Sequence, residues 1–180
     1  MPSIPLGAHK LGETTMGSTA AATATISWAG FYGVLFIEHV IAGYSGSGIA
    51  ILQFGTTAGT LDTGSNYASG GFHVTMGTAA VTATPTSRVS QVGIQVANDA
   101  TANARYGMHQ VQNPNGRNKQ VDSRTTTYAT TTVTAATAIS TISVMEGRWF
   151  QNSPAQCVAM LGNGVNLLTG SSLAVYGIPG

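Results

Sequence analysis

Hydrophobic and polar positions along this chain follow the two-residue spacing of β-strands. Stretches rich in Thr, Val, Ile and aromatic residues alternate with clusters of Gly, Asn, Ser and Pro, which is typical of short strands joined by turns. No window of twelve residues combines helical apolar spacing with helix caps. The pattern predicts an all-β sandwich or barrel with strands near residues 22–28, 32–42, 48–54, 70–76, 88–96, 105–111, 119–128, 134–145, 155–160 and 172–178.

Three segments refine this prediction. Residues 32–42 are apolar at both alternating sets of positions, which predicts a central strand covered on both faces. Residues 88–96 alternate between apolar and polar, as in a strand with one exposed face. Asn115-Gly116 lies between two strands, and because this pair supplies the positive φ angles of a tight primed turn, we expect a two-residue hairpin at the rim.

The two least regular segments are the N-terminus and a Thr- and Ala-rich stretch. Residues 125–141 are of low complexity, but β-branched Thr favours strands, so we expect two strands and a bend there. Residues 1–20 show little periodicity, and either an extended arm that ties subunits together or simple disorder fits them. We therefore expect a single jelly-roll-like β-sandwich over residues 21–180, preceded by a short extended arm over residues 1–20.

Composition narrows the choice of partners. Only 7% of residues are charged, so hydroxyl and amide groups must form most of the polar surface. The net charge is +1, and because binding to nucleic acid depends on positive charge, a nucleic-acid partner is not expected. The longest apolar run is too short to span a membrane, and the start lacks the features of a signal peptide. A nearly uncharged surface favours self-association. The single cysteine, Cys157, is expected to be a buried small hydrophobe.

The sequence contains only weak candidates for catalytic and metal-binding residues. Glu38 and His39 are adjacent, and neighbours in a strand point to opposite faces, so they can form one catalytic pair only if a bulge intervenes, and a structural role is expected for them. The four histidines share no metal-binding spacing. Asp62 with Asn66 fits a turn-forming role better than a calcium site. We expect no catalytic residue, no metal and no cofactor.

Two further alternatives involve residues that are distant in sequence. A hydrolytic enzyme would need carboxylates such as Glu38 and Glu146 to converge in a cleft. A glycan-binding module would present aromatic side chains on loops, and the candidates for surface recognition are Trp149, Tyr67 and Tyr106.

Several segments together resemble a group of small structural proteins of tailed-phage virions that are built as single jelly-roll-type sandwiches. The matching segments are Tyr32-Gly33-Val34-Leu35-Phe36-Ile37-Glu38, then Ile49-Ala50-Ile51-Leu52-Gln53-Phe54-Gly55 followed by Asn66-Tyr67, and finally Gly170-Ser171-Ser172-Leu173-Ala174-Val175-Tyr176-Gly177-Ile178. The departures from the group are Gly55-Thr56-Thr57, where many relatives have an Asn-Gly or Asn-Asp turn, and the low charge.

The resemblance implies a non-enzymatic role in the virion. The options are a capsid decoration (cement) protein, a head fibre, and a tail-fibre or receptor-binding module for host glycan. We expect the first, as a homo-oligomer, with a trimer as the favoured state, that binds the major capsid protein or another virion protein. The resemblance carries over no catalytic residue.

Overall fold

The computed structural model describes residues 4–17, 23–46, 49–76, 80–84, 93–96, 103–116, 118–128 and 139–180. Within them lie twelve β-strands: β1 (His9–Thr15), β2 (Thr23–Ser27), β3 (Val34–Ile41), β4 (Ile49–Gly55), β5 (Tyr67–Thr75), β6 (Ala80–Thr84), β7 (Ile94–Gln95), β8 (Arg105–Gln112), β9 (Lys119–Tyr128), β10 (Ile139–Trp149), β11 (Cys157–Asn163) and β12 (Ser172–Ile178).

The strands form two packed antiparallel sheets. The large sheet has the order β1-β12-β3-β8-β9-β10-β5-β6, and the small sheet has the order β2-β11-β4-β7. Eight of the strands form four nested antiparallel pairs, in which each pair lies between the two strands of the previous pair in the sequence. These pairs are β1 with β12, β2 with β11, β3 with β8 and β4 with β7. This nested pairing over two sheets is the jelly-roll topology, and the expected all-β sandwich is therefore confirmed.

The other four strands widen one sheet. The hairpin of β9 and β10 continues the large sheet beyond β8, and β5 and β6 continue it beyond β10. The large sheet is thus eight strands wide while the small sheet is four. The outer face of the large sheet is therefore the broadest regular surface that the described residues form.

The hydrophobic core lies between the two sheets. Alternate residues of β3 point inwards, and Leu35, Ile37 and Ile41 are fully buried there. Leu52 and Phe54 face them from the small sheet, and Cys157 is also buried, as expected.

Within the described part of the chain, no helix has the length and apolarity needed to cross a membrane.

Two strands were missed by the sequence analysis. His9–Thr15, which we assigned to an arm outside the sandwich, pairs with β12 and forms one edge of the large sheet. Ala80–Thr84 pairs with β5 and forms the other edge. Both are edge strands, which bury only part of one face, so their sequences show only a weak alternation of apolar and polar residues. In addition, β1 pairs with a strand at the other end of the chain.

The hairpin between β8 and β9 exists, but its turn differs from the prediction. The amide of Gly116 donates to the carbonyl of Asn113 at 3.0 Å, so the turn is centred on Pro114 and Asn115. The positive φ angles fall on Asn113 (52°) and Asn118 (55°). Asn tolerates the left-handed region, and here the two flanking asparagines adopt it in place of Asn115-Gly116.

The predictions for two other strands hold in part. β3 is an interior strand, but its outer face is half-exposed rather than covered, and Val40 on that face is exposed. Ile94 and Val96 are buried in the core, as the alternation over residues 88–96 predicts. Residues 88–92, and residues 129–138 of the expected bend, lie outside the described residues.

Candidate functional site

Trp149 and Tyr67, two of the three residues expected at a recognition surface, lie in the core. Both are 0% exposed, and their rings stack on one another with centroids 6.1 Å apart. Phe54 of the small sheet also stacks on Trp149, with ring centroids 5.5 Å apart. These two aromatic residues are structural anchors that join the sheets, so the expected surface role is wrong for them.

Asp62 completes the hydrogen bonding of this aromatic cluster. The indole Nε1 of Trp149 donates to Asp62 Oδ2 at 2.8 Å, and the side chain of Asn66 and the amide of Gly64 donate to the same carboxylate. Partial burial works against ionisation of Asp62, but these hydrogen bonds outweigh it and lower its pKa. The turn-forming role expected for Asp62 and Asn66 is confirmed.

The Tyr67 hydroxyl is also fully used. It accepts from the amide of Phe54 at 3.0 Å and lies 2.9 Å from the carbonyl of Asp62 and 3.0 Å from that of Phe54. Burial raises its pKa. The hydroxyl fastens the start of β5 to the loop after β4, and this explains why a large polar aromatic residue is suited to a buried position.

A buried lysine closes the same end of the core. The Nζ of Lys119 donates to the carbonyls of Gln151 and Ser153 and lies 4.7 Å from the centroid of the Trp149 ring. Burial lowers the pKa of Lys119 to about 8. The polar atoms of Trp149, Tyr67 and Lys119 thus all have hydrogen-bond partners. We call this region the apolar end of the large sheet's inner face, and its members are Trp149, Tyr67, Lys119, Val111 and Val121.

The opposite end of the same inner face is polar. His39 and His109 are fully buried and stacked, with His39 Nδ1 2.7 Å from His109 Nε2. Gly107, which lies opposite His39 in the register, makes room for the imidazole, since a Cβ at that position would approach His39 Cε1 to 2.4 Å. Sequence reasoning missed this pair because the two residues are 70 positions apart.

Burial determines the protonation of the histidine pair. Burial lowers the pKa of His109 to about 3. Burial also lowers the pKa of His39 well below its usual range, and electrostatic repulsion from His109 and Arg105 lowers it further. Both rings are therefore neutral at pH 7. His39 Nε2 and His109 Nδ1 have no hydrogen-bond partner among the described residues.

Buried hydroxyls surround the histidines. Thr125 donates to the carbonyl of Val96 at 2.8 Å, but the hydroxyls of Ser123, Thr127 and Ser143 find no partner in the described part of the chain. We call this region the polar end of the inner face, and its members are His39, His109, Arg105, Ser123, Thr125, Thr127, Thr141 and Ser143.

Tyr106, the third expected recognition residue, does lie on the outer face of the large sheet. It is half-buried, and its hydroxyl donates to Glu38 Oε1 at 3.0 Å. Partial burial, followed by the bond to Glu38, raises the pKa of Tyr106 to about 12. Glu38 therefore points outwards while His39 points inwards, as the alternation of a strand requires.

The outer face also carries seven charged residues. Lys10 of β1 pairs with Glu13, and the negative charge of Glu38 contributes to a raised pKa of Lys10, after the larger effect of Glu13. Arg148 lies 3.5 Å from Glu146. The register places the following charged residues on this face: Lys10, Glu13, Glu38, Asp122, Arg124, Glu146 and Arg148.

One corner of the outer face is apolar instead. On β10, β5 and β6 the register brings together six uncharged side chains, Phe72, Val74, Val81, Ala83, Ile142 and Val144. Phe72 and Val81 are exposed, the latter by 67%. We call these six residues the apolar corner.

Glu38 and Glu146 lie on the same outer face but on β3 and β10, which β8 and β9 separate, so at about 4.8 Å per strand their backbones are about 14 Å apart. Each carboxyl group has its own partner, the Tyr106 hydroxyl for Glu38 and the Arg148 guanidinium for Glu146. No group of three His, Cys, Asp or Glu residues placed to hold a metal occurs within the described ranges.

Comparison of the sequence with protein-family models gives no matching family, and comparison with curated proteins gives no match. What defines the class of this protein is its topology, which is that of a jelly roll with a widened sheet.

Proposed function

We propose that this chain is a non-enzymatic structural protein of a tailed-phage virion, most directly a capsid decoration protein that stabilises the head shell as a homo-oligomer. The trimer and the capsid location expected from the sequence are part of the proposal. The observation that carries it is the jelly-roll topology, with its four nested antiparallel pairs. Double-sheet jelly rolls are an architecture of viral capsid and lectin domains.

The breadth of the large sheet supports an assembly role. Eight strands spaced by about 4.8 Å make a face about 38 Å wide, and strands that average about eight residues make it about 27 Å long. Its projected area of about 1,000 Å² is large enough for the roughly 800 Å² that each partner contributes to a stable protein interface. Charged residues of both signs and the apolar corner lie on this face, and such a mixture suits contact with another protein.

Quantitative mass spectrometry of purified particles tests the proposal. A decoration protein binds at many equivalent positions of the shell, so we expect hundreds of copies per virion. A handful of copies would move the protein to the tail, and complete absence from washed particles would contradict a role in the virion.

A second candidate function is glycan recognition by a tail-fibre or receptor-binding module. Tyr106, hydrogen-bonded to Glu38, gives the outer face an aromatic ring beside a carboxylate. Rings of this kind stack on sugars and carboxylates accept sugar hydroxyls.

Substitution of Tyr106 by Ala separates the two candidates. A glycan module loses binding on a glycan array and in phage adsorption, whereas a decoration protein retains normal adsorption. Phe31→Ala is the matched control, because Phe31 is an exposed aromatic residue in the loop before β3, outside the sheet. An array without any hit for the native protein would rule against glycan recognition.

A further inference from the structure

The tip of the hairpin between β8 and β9 carries Asn115-Gly116, one of two Asn-Gly pairs in the sequence; the other is Asn163-Gly164. Such a pair is chemically labile. Glycine has no side chain to shield its backbone nitrogen, and this nitrogen can attack the amide carbon of the preceding asparagine. Asn115 is exposed, so water reaches it. Whether this pair reacts therefore depends on how the fold holds its reacting groups.

Two hydrogen bonds hold those groups. The nitrogen of Gly116, which is the nucleophile, donates to the carbonyl of Asn113 at 3.0 Å. The Nδ2 of Asn115, which is the leaving group, donates to the carbonyl of Tyr32 at 2.7 Å. We call these two bonds the hairpin clip. Attack requires the side chain to rotate towards the nitrogen into a reactive geometry, so the hairpin clip must open before the reaction.

The partners of the hairpin tip are themselves held in place. The ring of Tyr32 lies against Gly177 of β12, where an added Cβ would collide with it. On the other side of the tip, the amide of Ala155 donates to the carbonyl of Pro114 at 2.9 Å. The hairpin clip thus joins the tip to an ordered loop before β3.

We propose that Asn115 is a deamidation site that the hairpin clip controls. While the clip is closed, the side-chain amide is retained. When the clip opens, the nitrogen of Gly116 loses its proton to solvent and forms a bond with Cγ of Asn115, and Nδ2 takes up a proton and leaves as ammonia. Water then opens the cyclic imide at either carbonyl, which gives aspartate or isoaspartate at this position.

The product cannot close the hairpin clip again. A carboxylate has no N–H group to donate, and its negative charge would face the carbonyl oxygen of Tyr32. Isoaspartate also lengthens the backbone of the turn. A transient opening of the tip is thereby converted into a permanent loss of its attachment to the loop before β3. This inference is independent of the proposed role in the virion.

Peptide mass spectrometry of native and guanidinium-unfolded protein, at the same pH and temperature, tests the control by the hairpin clip. We expect Asn115 to deamidate at least about tenfold more slowly in the native protein, because both hydrogen bonds must break first. In the unfolded chain Asn163, the other asparagine before glycine, gives the unprotected rate, and Asn115 should match it. Equal rates for Asn115 in the native and unfolded protein would overturn the proposal.

A looser turn tests the same control within the folded protein. Pro114→Ala frees the backbone angle that proline fixes, so we expect Asn115 to deamidate about two- to fivefold faster. Pro5→Ala is the matched control, because Pro5 belongs to a different turn, which the amide of Ala8 closes by donating to the Pro5 carbonyl at 3.2 Å. A rate in Pro114→Ala no higher than in the control would also contradict the proposal.

Hydrogen exchange tests the permanent effect. Asn115→Asp copies one product, and we expect the backbone amides of residues 29–33 and 113–116 to exchange at least about threefold faster than in the native protein. Asn118→Asp places the same charge in the same hairpin outside the hairpin clip, and it should leave this exchange unchanged. If the two variants exchange alike, loss of the Asn115 bond does not release the tip; the proposed virion role would stand in that case.

Discussion

The two ends of the large sheet's inner face are equally buried, but they are stabilised in different ways. At the apolar end, the polar atoms of Trp149, Tyr67 and Lys119 have hydrogen-bond partners. At the polar end, the hydroxyls of Ser123, Thr127 and Ser143 have none among the described residues. A buried polar group stabilises a fold only when it is bonded, so burial alone does not reveal where the stability of this sandwich lies.

The largest expected effect is the loss of the anchor at the apolar end. Trp149→Ala removes a fully buried ring that stacks on Tyr67 and Phe54 and bonds Asp62, and we expect the free energy of unfolding to fall by about 3–5 kcal/mol. Chemical denaturation measures this. The exposed aromatic control, Phe31→Ala, should change stability by no more than about 0.5 kcal/mol, and comparable losses for the two variants would contradict the assignment of the anchor.

The second expectation concerns pH and the polar end. Both histidines have a lower pKa in the folded protein than in the unfolded chain, so the unfolded chain binds more protons below pH 6.5. Stability must therefore decrease as pH falls from 6.5 towards 4, by up to about 1.4 kcal/mol per pH unit for each histidine. Asp62, with its lowered pKa, adds a further loss only below about pH 4.

Denaturation at several pH values between 7 and 4.5 checks this slope. The double variant His39→Gln/His109→Gln should show a much flatter dependence, whatever its stability at pH 7. His9→Gln is the matched control, since His9 is exposed on β1, and it should keep the native slope. An unchanged slope in the double variant would show that the buried pair is not its origin.

A smaller loss is expected from Tyr67→Phe. This substitution keeps the ring and removes only the hydroxyl, which leaves the buried amide of Phe54 without its partner. We expect a loss of about 1–3 kcal/mol, measured by thermal or chemical unfolding. Tyr32→Phe serves for comparison, because the Tyr32 hydroxyl makes an exposed bond of 3.3 Å to the carbonyl of Ala29 and should contribute less.

The smallest expected effect has the opposite sign. Ser143→Ala removes a buried hydroxyl that has no partner in the described residues, so we expect stability to rise by up to about 1 kcal/mol. Thr125 lies directly opposite on β9 and does donate a hydrogen bond, so Thr125→Val should cost about 1 kcal/mol. If Ser143→Ala and Thr125→Val changed the free energy of unfolding in the same direction, the distinction between bonded and unbonded hydroxyls would be contradicted.

The sequence predicts the fold class because alternation is a local property. Ile94 and Val96, for example, are placed correctly from their neighbours alone. The clusters at the two ends could not be predicted in this way, since Trp149 meets Asp62 across 87 positions and His39 meets His109 across 70. Only the pairing of the strands, which no local pattern encodes, brings these residues together.

The recognition surface shows the same limit. Tyr106, Tyr67 and Trp149 all lie in strands, and the sequence does not reveal which face of the sheet each one occupies. Inward positions bury Trp149 and Tyr67, while the outward position leaves Tyr106 beside Glu38. A one-residue difference in register decides between core and surface.

The most direct test of the central proposal is the addition of the purified protein to phage heads that lack it. We expect saturable co-sedimentation with the heads, hundreds of copies bound to each, and an increase in the temperature at which the heads release their DNA. Heads that bind none of the protein and open at the same temperature with or without it would contradict a role in capsid decoration.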